Sequence, residues 1–323
     1  MNLNMIEAAA ERLQGHGRVT PLLSSPFIDE IAGRRVFIKP ECLQHTGSFK
    51  YRGAWSAISA LDPDIRAKGV IAFSSGNHAQ GVALAARQHG VPAVIIMPED
   101  APRLKIDNTR ALGAEVVLYD RAGGVDRDEI GARLSAERGL SLIKPFDNEF
   151  VIAGQGTTGL EIAAQAKAVG VEAADVLVCC GGGGLTSGIA LALEGHAPGM
   201  RARPIEPEGF DDVIRSIASG QIEEITGPAI GLCDAIITKS PGQLTFPIMK
   251  RLCGPGIVVT NAEAKAAMRI AFERLKLVAE PGGAVALAAA LYHGDRIEGD
   301  SVIALISGGN VDADLFAQIL GES

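Results

Sequence analysis

The sequence lacks both an excess of positive charge and an evident membrane-spanning segment. Its 30 Lys and Arg residues against 38 Asp and Glu residues give a formal net charge of -8. Nucleic acid or an anionic membrane would require a basic face instead. The uncharged stretch from Pro281 to Gly294 is too short and too rich in glycine and alanine to cross a bilayer. We therefore expect neither nucleic acid nor a membrane as a partner.

The sequence shows neither the pattern of a secretory leader nor paired cysteines. The stretch Met1–Glu7 has no positive segment followed by an apolar one, so we expect no signal peptide. The cysteines form neither Cys-x-x-Cys units nor a His–Cys cluster; they are Cys42, Cys179, Cys180, Cys233 and Cys253. Reduced thiols in a cytoplasmic protein are the expected state, and zinc is not expected.

Short apolar segments alternate with alanine-rich helical segments along the chain. At 323 residues the chain exceeds the size at which a single core stops growing, which predicts two domains. Near-continuous hydrophobic strands separated by helices predict parallel sheets that are covered on both faces. The strands are expected at 36–40, 69–73, 93–97, 114–118, 174–179, 256–259 and 301–306. We expect an α/β fold with two open, mostly parallel, three-layer αβα domains.

The domain boundaries are expected at two turn-rich stretches, one near Lys68 and one at 145–148. Residues 69–147 would then form a small domain inside a larger one built from residues 1–68 and 148–323. Ligands of such sheets bind at the carboxyl ends of the strands, where the strand order reverses. The motifs described next all lie at such ends.

The stretch Gly47–Ala54 (GSFKYRGA) places Lys50 beside aromatic and small residues, just after a strand-like run. Such surroundings can destabilise the ammonium group, which makes a lysine a nucleophile and a base near neutral pH. A Schiff-base lysine needs this environment. The alternative is a solvated cation at the start of a helix, which is the commoner state of a single lysine.

Four consecutive glycines follow Cys180 at the end of a predicted strand and the start of a helix. Their backbone N–H groups can converge on one anion, and the helix N-terminus adds partial positive charge. The loop has neither the lysine of a Walker motif nor the third glycine of a dinucleotide fingerprint. We therefore expect the loop to bind a phosphate group rather than to be a merely structural turn. The missing motif residues also disfavour a nucleotide-binding αβ protein.

Two further polar motifs end predicted strands, Ser74–His78 (SSGNH) and Ser307–Asn310 (SGGN). The first offers a hydroxyl, an amide and an imidazole at one point, although Ser75 or Asn77 could instead cap the following helix. His78 is expected to be structural because it would lie inside the first helical turn. The hydroxyl of Ser307 could hydrogen-bond a ring nitrogen without protonating it, or the motif could be a turn with Asn310 as a cap.

The stretch Glu206–Asp212 (EPEGFDD) crowds four carboxylates into seven residues. Such a loop repels itself unless a cation is bound, and oxygen ligands select Mg²⁺, Mn²⁺ or Ca²⁺. A solvated acidic loop is the alternative. The residues alone leave both open.

In this order, the segments closely resemble those of the fold-type II pyridoxal phosphate (PLP) enzymes of the serine/threonine dehydratase and serine racemase group. The resemblance runs from Thr20-Pro21-Leu22 to Gly308-Gly309-Asn310 and includes Val151–Thr157 (VIAGQGT). It implies a tryptophan synthase β-like fold with a large PLP-binding domain and a small substrate-gating domain.

The resemblance also implies roles for the cofactor-binding residues. Lys50 would form the Schiff base with PLP, and Phe49 would pack against the pyridine ring. Asn77 would hydrogen-bond the ring's 3-hydroxyl, and Ser307 would face the pyridine nitrogen. The phosphate would be held by Gly181, Gly182, Gly183, Gly184 and Leu185.

Substrate and metal positions follow from the same resemblance. Ser75, Gly76 and His78 lie on the loop that holds the substrate carboxylate. Ser75 also occupies the position from which racemases transfer a proton on the face opposite the lysine. The family's divalent-cation site falls on Glu206, the carbonyl of Phe210, and Asp212.

The implied activity is β-elimination of L-threonine or L-serine to 2-oxobutanoate or pyruvate plus ammonia, in a homodimer. A ring nitrogen kept neutral by Ser307 favours elimination, and Pro145-Phe146-Asp147 resembles dehydratases, since racemases have a polar residue in place of Phe146. The chain ends shortly after Asn310, so we expect no C-terminal regulatory domain. A serine or aspartate racemase, a 3-hydroxyaspartate dehydratase and a non-catalytic amino-acid-binding protein remain alternatives.

Overall fold

A computed structural model of the chain describes residues 1–101, 103–120, 124, 127–228 and 230–322. The strands, numbered in chain order, are β1 (Leu23–Ser24), β2 (Arg35–Pro40), β3 (Val70–Phe73), β4 (Ala93–Pro98), β5 (Glu115–Tyr119), β6 (Ser141–Leu142), β7 (Ala174–Cys179), β8 (Met200–Pro207), β9 (Ile257–Val259) and β10 (Ser301–Ile306). Each of the seven predicted strands is found within one or two residues of its expected bounds.

Helices precede or follow nearly every strand. They are α1 (Leu3–Leu13), α2 (Pro26–Ala32), α3 (Lys50–Ser59), α4 (Pro63–Lys68), α5 (Asn77–His89), α6 (Arg103–Ala111), α7 (Arg127–Arg138), α8 (Glu149–Ala168), α9 (Gly184–His196), α10 (Asp212–Ser219), α11 (Thr245–Leu252), α12 (Asn261–Ile270), α13 (Pro281–Tyr292) and α14 (Ala313–Gly321). Short 3₁₀ turns occupy Glu41–Leu43, His45–Gly47 and Gly294–Arg296, and a π-turn occupies Ala271–Leu275. Among the described residues, no helix is long and apolar enough to span a membrane.

The strands form two separate sheets. A six-stranded sheet has the order β1-β2-β10-β7-β8-β9, and a four-stranded sheet has the order β5-β4-β3-β6. Among the described strands, only the pairing of β1 with β2 is antiparallel. The expected α/β fold with mostly parallel sheets is confirmed.

Alternate residues of β10 enter different hydrophobic clusters. Val302, Ala304 and Ile306 pack with α12 and α13 on one face, whereas Ile303 and Leu305 pack with α8 and α9 on the other. A strand that is buried on both faces needs apolar residues at every position, which explains its continuous hydrophobic sequence. The larger sheet is therefore the middle layer of three.

The four-stranded sheet also has apolar clusters on both faces. Val70 and Ala72 pack on one face, and Ile71 packs on the other. The first of these clusters includes Tyr51 and Trp55 of α3, a helix that precedes residue 69 in the chain. The strands of this sheet all fall within residues 69–147, and the boundary at residue 68 stays a prediction.

A buried ion network joins α3 to β2 and α8. The Arg52 guanidinium lies 2.7 Å from Glu41 Oε2 and 2.7 Å from Glu161 Oε1, and Lys39 Nζ lies 2.6 Å from Glu161 Oε2. Thr20 adds a hydrogen bond of 2.6 Å to Glu41. Although burial opposes it, Arg52 holds the pKa of Glu41 below its ordinary value. We refer to Lys39, Glu41, Arg52 and Glu161 as the ion network, and it fixes the beginning of α3.

Candidate active site

A cavity of about 360 Å³ lies where carboxyl-terminal strand ends of the two sheets meet. The turn after β3 and the glycine loop after β7 both contribute to its wall. The cavity is lined by nearly all of the predicted cofactor and substrate residues, which are Phe49, Lys50, Ser75, Gly76, Asn77, His78, Gly181, Gly182, Gly183, Gly184 and Leu185. Motifs that are far apart in sequence thus meet at one cavity, as expected for parallel sheets.

Lys50 is the first residue of α3 and points into this cavity. Its Nζ donates a hydrogen bond of 2.9 Å to the carbonyl of Pro145 and lies 5.1 Å from the centre of the Phe49 ring. Among the described residues, no carboxylate lies within ion-pair distance of this ammonium. Desolvation by the surrounding protein lowers the pKa of Lys50 to about 8. With this pKa, roughly a tenth of the Lys50 side chains are neutral at pH 7, and a nucleophile and base require the neutral form.

Asn77 begins α5 and connects two other motifs. Its Nδ2 donates a 2.6 Å hydrogen bond to Glu280 Oε1, and its Oδ1 accepts a 2.7 Å bond from Asn310. Asn310 also donates to the carbonyl of Thr46. The N-cap of α5 is Gly76, with no side-chain cap, so neither Ser75 nor Asn77 caps this helix. The two asparagines therefore link the segment that follows β3, in the smaller sheet, to the segment that follows β10, in the larger sheet.

Glu280 lines the cavity and was missed by the sequence analysis. It precedes Pro281 at the start of α13, and its Oε1 would lie 2.1 Å from a Cβ added to Gly308. Burial raises the pKa of Glu280 to about 7, against the opposing hydrogen bond from Asn77. A Glu-Pro pair at a helix start carries no signal of such a role. Only the fold brings it beside Asn77.

His78 lies within the first turn of α5, as expected. Its Nε2 is 2.8 Å from the carbonyl of Ile143. Burial, helped by the positive charge of Lys50, lowers the pKa of His78 to about 3. The ring is therefore neutral near pH 7, and its Nε2–H donates to that carbonyl. The structure thus places the ring of His78 against a backbone carbonyl, and the role of this residue stays a prediction.

The glycine loop has no room for side chains. A Cβ on Gly182 would lie 2.4 Å from the Phe146 ring, and one on Gly183, where φ is +89°, would lie 2.4 Å from Met249 Cε. α9 begins at Gly184, so its free N–H groups and positive dipole end lie beside the cavity. Among the described residues, the buried hydroxyl of Thr186 in this turn has no hydrogen-bond partner. These donors fit a bound phosphate.

Ser307 is buried at the end of β10 but is not among the residues that line the cavity. Its carbonyl accepts a 3.2 Å hydrogen bond from the backbone N–H of Phe49. The last strand of the larger sheet therefore positions the residue next to Lys50. A contact between the Ser307 hydroxyl and a cofactor ring stays a prediction.

The predicted metal residues lie outside the cavity lining. Glu206 accepts hydrogen bonds from the N–H groups of Val213 and Ile214, so one of its functions is to cap α10. Among the described residues, both buried oxygens of Asp212 lack a hydrogen-bond partner, and burial raises its pKa to about 7. The same part of the chain contains no cluster of three or more His, Cys, Asp or Glu side chains suited to a metal. The described side chains thus form no complete metal site, and the cation stays a prediction.

Comparison with known proteins identifies the family. Residues 13–308 match the model of the family "Pyridoxal-phosphate dependent enzyme". The L-threo-3-hydroxyaspartate ammonia-lyase of Pseudomonas sp is 43% identical over 97% of this chain and 96% of its own length. The serine racemase of Oryza sativa subsp. indica is 39% identical over 96% of this chain and 91% of its own.

Solved structures agree with the sequence relatives. The crystal structure of a threonine deaminase from T.th. has a TM-score of 0.90 and 44% identity, covering 97% of this chain and 99% of the deaminase chain. The expected family and fold are confirmed, and the family implies pyridoxal phosphate as cofactor. The chain belongs to the pyridoxal-phosphate dependent enzymes.

Proposed function

We propose that this chain catalyses β-elimination of a small hydroxyamino acid, L-threonine or L-serine, to 2-oxobutanoate or pyruvate plus ammonia. The observation that carries the proposal is the environment of Lys50. Its ammonium is desolvated, has no described carboxylate partner and lies in a cavity that also contains the glycine loop. A non-catalytic amino-acid-binding protein would have no need of a lysine with these properties.

The residues that would hold pyridoxal phosphate are those with free donors at the cavity. The N–H groups of the glycine loop and Leu185, together with the Thr186 hydroxyl, would bind the phosphate. Lys50 would hold the cofactor covalently between Phe49 and Asn77, and Ser307 would face the ring nitrogen. When bound, the cofactor withdraws electrons from the substrate Cα, which makes the proton on that carbon acidic.

Lys50 would remove this proton as a general base. A pKa of about 8 allows its amine both to accept a proton and to release it again near neutral pH. Ser75 and Gly76 line the cavity beside Asn77 and would bind the substrate carboxylate through the turn that starts α5. His78 stays neutral and would position this turn through its hydrogen bond to Ile143.

Phe146 favours elimination over racemisation. Its ring packs on Gly182 and lines the cavity, where a polar residue could deliver a proton or hold water. Ser75 nevertheless lies at the cavity wall and could exchange a proton on the opposite face, so racemisation is the second candidate. The similarity to the serine racemase of Oryza sativa supports this alternative, and the similarity to the Pseudomonas enzyme supports 3-hydroxyaspartate as a substrate.

A divalent cation at Glu206, the Phe210 carbonyl and Asp212 is a separate part of the proposal. Its support is the Asp212 carboxylate, whose two buried oxygens lack a hydrogen-bond partner among the described residues. Burial, followed by the charge of Asp212, raises the pKa of Glu206. A bound Mg²⁺, Mn²⁺ or Ca²⁺ would supply the missing charge. Chelation followed by a melting curve tests it: a lower Tm that Mg²⁺ restores supports the site, and an unchanged Tm contradicts it. The homodimer and the cytoplasmic location stay predictions.

The test of the activity is a substrate panel with the purified, PLP-loaded protein. We expect 2-oxo acid and ammonia from L-serine and L-threonine, and neither product from the Lys50→Ala variant. D-serine formed from L-serine without 2-oxo acid would establish the racemase instead. A protein that binds the amino acids but retains no visible cofactor absorbance after incubation with PLP and removal of the free cofactor would contradict both enzymatic functions.

A further inference from the structure

A chain of amide hydrogen bonds ends at Asn77 on the cavity wall, and it begins at a residue with a strained backbone. Thr46 has φ +59° and ψ +18°, and it is one of two non-glycine residues with positive φ in the described part of the chain. A β-branched residue adopts this conformation only when its surroundings hold it there, and such strain is concentrated at functional positions. None of the proposed contacts has yet given Thr46 a function.

The turn that contains Thr46 is held against the turn that follows β10. The N–H of Gly309 donates a 2.9 Å hydrogen bond to the carbonyl of Gly47. A Cβ on Gly47, where φ is +71°, would lie 2.7 Å from Asn310 Oδ1, so the two turns leave no room for a side chain there. The position of Asn310 relative to Thr46 is therefore fixed by backbone contacts.

The carbonyl of Thr46 determines how the side-chain amides are oriented. A carbonyl can only accept, so the amide nitrogen of Asn310, which lies 2.8 Å away, must face it. The same nitrogen lies 2.7 Å from Asn77 Oδ1, and this bond uses its second N–H. Asn77 therefore presents its oxygen to Asn310 and its nitrogen to Glu280 Oε1, at 2.6 Å. The orientation of an amide follows from its hydrogen-bond network, and here a backbone group fixes that network.

This orientation decides what Asn77 offers to a ligand. Asn310 engages its oxygen and Glu280 engages one N–H, which leaves the second N–H for a group in the cavity that Asn77 lines. The reversed amide would present a carbonyl oxygen at the same place. A ligand oxygen there would meet a donor in the first case and an acceptor in the second, and only the donor stabilises a negative charge on that oxygen.

We infer that Thr46 and Asn310 are positioning residues, which fix the amide of Asn77 so that it can only donate to the oxygen at ring position 3 of bound PLP. The inference rests on the proposed function, because it takes PLP as the ligand of Asn77. In this orientation Asn77 favours the anionic form of that oxygen, whereas the reversed amide would favour the neutral hydroxyl. Thr46 and Asn310 are not among the residues that line the cavity, so both act through Asn77.

The first test compares two replacements of Asn310 by the absorbance of the PLP-loaded protein. The cofactor absorbs in the visible when its ring 3-oxygen is anionic and in the near ultraviolet when that oxygen is neutral. Asn310→Asp keeps the shape but cannot donate, so Asn77 should turn its nitrogen toward the new carboxylate. We expect the ratio of visible to near-ultraviolet absorbance to fall by about 10-fold, the effect of one hydrogen bond to a charged group. Asn310→Leu has nearly the same size and no charge, and it should lower the ratio by a smaller factor, because both orientations of Asn77 are then populated.

The second test measures cofactor affinity and requires no turnover. Cofactor-free protein is titrated with PLP, and Asn310→Asp should bind it about 10-fold more weakly than the wild type. Asn108→Asp adds the same charge at an exposed position of α6 outside the cavity lining. This matched control should keep the wild-type affinity and absorbance ratio. Urea unfolding curves of the cofactor-free variants establish that each one is folded.

Two outcomes overturn the inference while the proposed function stands. An absorbance ratio that falls in Asn310→Asp but not in Asn310→Leu would be an effect of added charge rather than of amide orientation. An unchanged ratio in both folded, PLP-loaded variants would show that Asn77 keeps its orientation without Asn310. Conversely, a protein that shows the expected absorbance changes but eliminates no hydroxyamino acid would contradict the proposed function alone. A protein that binds no PLP would contradict both.

Discussion

Two groups of buried charges lie close together in this molecule and are built in opposite ways. In the ion network, Arg52 meets carboxylates on two sides at distances of 2.7 Å. Lys50, two positions earlier on α3, meets a carbonyl and no carboxylate among the described residues. One helix turn thus carries a fully paired cation and a desolvated one.

The difference separates structure from chemistry. A buried charge with its partners in place keeps its ionisation state, as the lowered pKa of Glu41 indicates. In the cavity, burial instead moves the pKa of Lys50 down to about 8 and that of Glu280 up to about 7. Groups that titrate near neutral pH can exchange protons with a substrate, so perturbed pKa values in a cavity indicate a functional site.

Removing the cavity lysine should have the largest effect on activity. For Lys50→Ala we expect a loss of at least about 10³-fold in kcat/KM, because the proposed base and cofactor attachment are both removed. The free energy of unfolding of the cofactor-free protein should change by no more than about 1 kcal/mol, because no ion pair is broken. Rates of 2-oxo acid release and urea unfolding curves measure the two. Full activity in the variant would contradict the proposed role.

Replacing Arg52 of the ion network should instead have its main effect on stability. Arg52→Met leaves Glu41 without its ion-pair partner and Glu161 with Lys39 alone, and it is expected to cost about 3–5 kcal/mol of stability. Urea unfolding of the cofactor-free protein is the measurement. Arg138→Met serves as the control, because its pair with Glu115 is exposed, and it should cost far less stability than Arg52→Met. Equal losses in both variants would break the distinction between the network and a surface pair.

A smaller effect is expected for Glu280→Gln, and it depends on pH. Between pH 4.5, the ordinary value, and about 7, folded wild-type protein holds a proton that unfolded protein has released. Its stability therefore falls as pH rises through this window, whereas the variant has no such group. We expect the cofactor-free variant to gain about 2–3 kcal/mol over wild type between pH 4.5 and 7.5. Parallel stability curves would contradict the raised pKa.

Much of the fold could be predicted from the sequence, because the spacing of apolar residues and the amino-acid composition of each segment are local signals. Strands such as β10 are apolar at every position after the first, and this alone distinguishes them from the alanine-rich helices around them. No range was predicted for β1, β6 and β8. The first and second of these have two residues each and no pattern, and β8 carries Arg201 and Arg203 among its apolar residues. The packing of α3 against the four-stranded sheet was not predicted either, because it depends on tertiary contacts rather than on the sequence of α3 itself.

The cavity was predictable only where a motif carries its own chemistry. Lys50 and the glycine loop were found because their residue types restrict what they can do. Glu280 was missed, since acidic residues at helix ends are common on any surface. Its position at the cavity depends on how the two sheets face each other, which no local sequence pattern indicates.

The most direct test of the central claim is to locate the lysine that holds the cofactor. The PLP-loaded protein is reduced with borohydride, digested and mapped by mass spectrometry for the pyridoxyl group. We predict a single modified site, Lys50, in the peptide that begins α3. Modification of a different lysine, such as Lys39 of the ion network or Lys144, would contradict the account.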